Sequence, residues 1–226
     1  MEEKKSRGSI CLDFLKEIAA NNNRIWFENH RDEYNKARMA FESMVDDLLK
    51  RITEFDEGIG HLTVKDCTYR FYRDIRFSPD KSPYKRHFGA YINSHGKKSY
   101  HGGYYLHIEP GNCLLGGGAY CLTPPILRSV RREIMENIGE FREIVEAPAF
   151  RDRFPEIGME RIKTVPQGFR KDFPYMQYIR PKDYSVVTHI PDTFFDDAGW
   201  LSTATEVFKV MKPYLDFLNF TIDDYE

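Results

Sequence analysis

A run of apolar residues from Trp26 to Phe55 constrains this chain more than any other feature. Phe27, Tyr34, Ala37, Phe41, Met44, Val45, Leu48, Ile52 and Phe55 recur with a 3.6-residue period, while Arg31, Asn35, Arg38, Glu42 and Asp46 take the other side. A stripe held for about eight turns predicts one long amphipathic helix, which must bury its apolar side against another layer. The shorter stripe Leu12, Leu15 and Ile18 predicts a first helix, stopped by Asn21-Asn22-Asn23, whose amides suit the cap of the next.

Beyond residue 63 the period drops to two. Phe71, Ile75 and Phe77 alternate with Arg70, Asp74 and Arg76, which predicts a half-buried strand with Arg73 on its apolar side and in need of a partner. Ser78-Pro79-Asp80 predicts a turn, and Pro83 blocks a helix before strand character returns over residues 87–92. Residues 104–108 and 113–115 flank Glu109-Pro110-Gly111-Asn112, with Pro and Gly at the central positions of a type II turn, so an antiparallel hairpin is expected. Gly116-Gly117-Gly118 should end its second strand, either at a bulge or where a ligand nears the backbone. No Gly-Lys-Ser/Thr follows, so the run is not a P-loop.

Thr123-Pro124-Pro125 predicts a helix start carrying Leu127, Val130, Ile134 and Ile138, with Arg128, Arg131 and Arg132 toward its other side and Gly139 as its break. Residues 184–190 predict another strand, and residues 200–218 a closing helix kinked at Pro213. A long helix, a meander of strands and further helices make the expected class α+β: a single domain, its largely antiparallel sheet packed by the long N-terminal helix and later helices. At 226 residues such a domain buries well over half of its unfolded surface.

The net charge of -2 conceals a segregation. Residues 70–86 hold six Lys and Arg against Asp74 and Asp80, and residues 161–182 hold six against Asp172. The remainder is strongly acidic, which argues for a local anion pocket rather than a bulk polyanion surface. Arg70, Arg73, Arg76, Lys81, Tyr84 and Lys85 are the expected clamp for a small phosphorylated or carboxylated ligand, since guanidinium forks grip such oxyanions in pairs. Two alternatives stand beside it. One is a nucleic-acid module using both basic stretches, with Tyr72, Tyr84, Phe169 and Tyr175 as stacking platforms. The other is a structural or protein-interaction domain whose cations meet internal acids or a second copy.

His87, His95, His101 and His107 cluster in sequence, but none has a helical i, i+4 mate, and no metal site is assigned. Only His107 and Glu109, two apart on one strand face, could share a ligand or a proton. Cys11, Cys67, Cys113 and Cys121 lack any zinc-knuckle spacing and read as free thiols. No apolar run approaches the roughly 20 residues of a membrane span and the N-terminus carries no secretory core, so the expected address is cytoplasmic. No nucleophile, general base or cofactor motif is legible.

Several of these stretches together resemble a known family. They are Asn22-Asn23-x-x-Trp26-Phe27, Tyr69-Arg70-x-x-Arg73-Asp74-x-Arg76-Phe77-Ser78-x-Asp80-Lys81-x-Pro83-Tyr84-Lys85, the triple glycine, Pro166-x-Gly168-Phe169, and Pro213 before Phe217-Leu218-Asn219. The set resembles the domain-of-unknown-function family 2461 of bacteria and fungi over nearly the whole chain. Asp172-Phe173-Pro174 departs from the family pattern, which often has His in the middle, so a catalytic role for that His would not carry over. The resemblance implies a single cytoplasmic domain, and no reaction, cofactor or partner.

Overall fold

The computed structural model describes residues 5–225. Ser6 opens the first helix, α1 (Arg7–Ala20), by accepting from the Ser9 amide, and the Asn21 backbone N–H closes it on Glu17. Asn23 then caps α2 (Arg24–Asn29) by accepting from the Trp26 amide. The long stripe is not one helix. His30 leaves helical geometry at φ -118°, ψ 28°, its ring stacks on Trp26 with centroids 4.0 Å apart, and α3 (Arg31–Thr53) starts anew. The apolar phase nevertheless survives the break: Phe27, Ala37, Phe41, Met44, Val45, Leu48 and Ile52 are all buried.

A short helix α4 (Val64–Cys67), opened by a reciprocal Thr63–Asp66 capping box, leads into the sheet. Its strands β1 (Phe88–Ile92), β2 (Gly103–Ile108), β3 (Cys113–Ala119) and β4 (Tyr184–Ile190) pair antiparallel in chain order. The β2–β3 hairpin has the expected turn, with Gly111 at φ +74° and the Asn112 amide on the Glu109 carbonyl at 2.9 Å. Between β3 and β4 lie α5 (Pro124–Glu136), α6 (Ile138–Val145) and α7 (Pro148–Arg151). The α5–α6 break falls at Asn137, and Gly139 lies inside α6 rather than ending α5. The closing helix α8 (Trp200–Ile222) runs through Pro213.

One sheet face carries Phe88, Ala90, Ile92, Tyr104, Leu106, Ile108, Cys113 and Leu115, all buried beneath α1, α3 and α8. The other carries Tyr91, Tyr105, Leu114 and Val187, half-buried, and exposed His189. The fold is α+β, as expected. The glycine triplet corrects one detail: β3 continues through it, because the backbone must come close. A Cβ on Gly117 would stand 2.2 Å from the Met211 sulfur of α8, and Gly118, at φ +103°, lies against the Tyr184 carbonyl of β4. The triplet is filled by the protein itself. Arg131 is a further correction, since it is buried and donates to the Pro181 carbonyl at 2.6 Å instead of facing solvent. Cys11, Cys67 and Cys113 are buried free thiols, and Cys121 is exposed at φ +57°. Among the described residues no helix is long and apolar enough to cross a membrane.

Candidate functional site

The strand expected over residues 70–77 does not form. Phe71 enters the core while Phe77 is 94% exposed, so the alternation there does not mark a buried face. The stretch from Tyr69 to Arg86 is a folded-back loop whose arms meet at a single Tyr72–Tyr84 bridge. The Arg73 amide donates to the Pro83 carbonyl and the Lys85 amide to Phe71, both at 2.9 Å. The tip is turned by Asp80, whose Oδ1 accepts from the Ser82 amide and hydroxyl. The loop is pinned to the start of α2 by Asn22, which donates to the Tyr84 carbonyl and accepts from the Tyr84 amide.

The six expected clamp residues are not brought to one place. Arg73 crosses the loop interior to Asp80, the Ser82 carbonyl and the Ser78 hydroxyl. This is the partner that its apolar-side position demanded. Arg76 forms a two-point pair with Asp74 out in solvent, its side chain 77% exposed. Lys81 bonds the Ile75 carbonyl at 3.0 Å. Tyr84 is buried in face-to-face contact with Phe27, centroids 4.1 Å apart. Lys85 turns away to lie 5.1 Å over the Tyr69 ring, and Arg70 is exposed.

The electrostatics follow these commitments. The bonds from the Arg76 side chain and amide hold the Asp74 carboxyl down at about 2. Ser82 first, and Arg73 after it, hold Asp80 well below the usual carboxylate range. Burial, with Arg70 nearby, lowers the Lys85 ammonium.

A cleft of about 300 Å³ opens between α2 and the loop, lined by Arg24, Glu28, Tyr72, Arg73, Ile75, Pro83 and Tyr84. Its one lining acid, Glu28, is gripped by both arms of Arg31, the nearest contact at 2.7 Å. Arg24 makes no hydrogen bond or ion pair among the described residues, and the Arg73 Nε is likewise uncommitted. Sequence reasoning missed Arg24, because α2 comes against this loop through long-range contacts, the Asn22 clip and the Phe27–Tyr84 stack. A wider hollow of about 470 Å³ lies around Phe14, Trp26 and His30, but its Lys5 is already paired with Asp13.

Two histidine groups converge elsewhere. At the hairpin, His87 joins His107 and Glu109. Burial, then His107 and Lys85, push His87 down to about 4. Burial also lowers His107, whereas for Glu109 burial would raise the carboxyl and the bonds from Asn112 and His107 outweigh it. In a third cleft His95 stacks on buried His101, whose Nε2 lies 2.6 Å from Asp223, beside the Tyr104–Asp56 hydrogen bond. Of the rings expected as stacking platforms, Tyr84 is buried and Tyr175 is covered by Arg142 at 4.4 Å.

Among known proteins, one family model, described as "Conserved hypothetical protein (DUF2461)", matches residues 11–217. No curated protein and no solved structure matches the chain.

Proposed function

The chain belongs to the DUF2461 family of conserved hypothetical proteins, a premise that carries no reaction, and from the geometry of its loop we propose that it binds a small carboxylated or phosphorylated ligand in the cleft between α2 and residues 69–86. Arg24 and Arg73 supply the donors, and Tyr72 and Tyr84 form the walls. The supporting observation is a charge left over: Glu28 is neutralised by Arg31 and Asp80 by Arg73, while Arg24 lines the same cleft without a partner. Arg24 is exposed, while the Arg73 side chain beside the cleft is 26% exposed, and a guanidinium partly shielded from water binds an oxyanion more strongly than one in bulk solvent. The cleft lies at the small end of the roughly 300–1,000 Å³ range of ligand sites, which favours a short organic acid or phosphate over a nucleotide.

Arg70, Arg76, Lys81 and Lys85 lie outside this lining; Arg76 is already paired with Asp74, and the other three contribute only a positive field. The second basic stretch is partly self-neutralised, through Arg161–Glu156, Arg170–Asp172 and Lys182–Glu160, which weakens the field a nucleic acid would need. A thermal-shift panel of short organic acids, sugar phosphates and inorganic phosphate tests the reading. A hit is expected whose stabilisation vanishes in Arg24→Ala and persists in Arg76→Ala. No hit, or one insensitive to Arg24→Ala, overturns it.

A further inference from the structure

We propose that His87, His107 and Glu109 form a binding site for a zinc-like divalent cation at the hairpin end of the sheet, separate from the anion cleft. In the β1–β2 ladder Phe88 pairs with Ile108 and Gly89 with His107, so His87 and Glu109 occupy the next facing positions outward. Alternation along the strands puts all three side chains on the sheet face away from α3 and α8. Their donor atoms lie within 4.8 Å of one another.

The spacing suits a metal. Two ligands each about 2.0–2.1 Å from a tetrahedral ion stand roughly 3.3 Å apart. The Nε2 of His107 and Oε2 of Glu109 are already 3.1 Å apart, and the His87 ring lies against His107 with centroids at 4.5 Å. With a His87 nitrogen inside the same 4.8 Å, the three side chains offer three ligands and leave the fourth position of a tetrahedral ion to water or an anion.

The surrounding bonds are those that orient metal ligands. The Tyr105 hydroxyl sits 2.9 Å from Nδ1 of His107, where it can accept the ring proton once an ion displaces the Nε2 proton now directed at Glu109, and the Asn112 amide donates to Glu109 at 2.9 Å. Two imidazoles and one carboxylate select Zn²⁺, or Co²⁺ in its place, over Mg²⁺ and Ca²⁺, which prefer oxygen. Lys85 faces His87 from the adjoining loop and works against any cation, so affinity should improve when an anion fills the fourth position.

The test is titration of the metal-free full chain with Co²⁺, followed by its visible d–d absorption, and with Zn²⁺ by calorimetry. One equivalent should bind with tetrahedral Co²⁺ bands. His107→Ala should abolish the bands, Glu109→Gln should weaken binding by at least about tenfold, and Tyr105→Phe should do so by about tenfold. Glu109→Gln, at a partly exposed turn position, keeps the test decisive where His107→Ala does not fold. His95→Ala, in the other histidine group, should change nothing. Absence of saturable binding, binding untouched by Glu109→Gln, or loss of binding in His95→Ala instead would overturn the site. None of these variants touches the anion cleft, so failure here leaves that reading standing and the reverse.

Discussion

Asp80 sets the state of the whole loop, because it accepts from Ser82 at the tip and from Arg73 across the interior. Its carboxyl titrates below the unfolded value of about 3.9. The native state therefore binds fewer protons than the unfolded chain in that window, so the stabilisation is complete above about pH 4 and is lost as pH falls through the folded value. Asp80→Asn should lower the urea midpoint at pH 7, and the gap to the parent should shrink as the pH is taken below about 4. A gap independent of pH would contradict this. At the same scale, the need of Arg73 for a partner was legible from its place in the pattern. Which acid would answer was not, since Asp74 is the next residue and Asp80 lies seven on, and only the turn at Pro79 and Asp80 brings the more distant one across the loop.

Among the elements, the glycines of β3 and α6 make opposite demands. A methyl at Gly117 collides with the Met211 sulfur at 2.2 Å and the Gly103 carbonyl at 2.4 Å, whereas one at Gly139 meets nothing within 4 Å. Gly117→Ala should destabilise by about 3 kcal/mol or more, as overpacking against backbone does. Gly139→Ala should stabilise by about 0.5–1 kcal/mol through helix propensity and a less flexible unfolded chain. Chemical denaturation of both variants checks the signs, and equal effects would contradict the packing described. Periodicity revealed α1, the hairpin, β4 and α8, because each buries one face continuously. It missed the break at His30, where Trp26 stacking and a local backbone turn leave the apolar phase intact. It also read Phe71, Ile75 and Phe77 as a strand, although the Pro79–Pro83 loop folds back too soon for a ladder to grow.

For the whole molecule, the core runs without interruption from α1 and α3 through the sheet to α8. Trp26 and Trp200, on α2 and α8, report from separate parts of it. Their fluorescence and the far-UV circular dichroism should follow one coincident unfolding transition; separated midpoints would argue for independently folding parts. The candidate cleft is a product of this long-range assembly. Arg24 and Arg73 line one cleft because the Asn22 clip and the Phe27–Tyr84 stack hold the loop against α2, a juxtaposition that charge counting along the chain does not show. The most direct test of the cleft watches the arginine Nε–Hε signals by nuclear magnetic resonance while inorganic phosphate and short carboxylates are added at constant ionic strength. Saturable shifts confined to Arg24 and Arg73, with Arg76 unmoved, are the predicted result; uniform, non-saturating drifts across all arginines would contradict it.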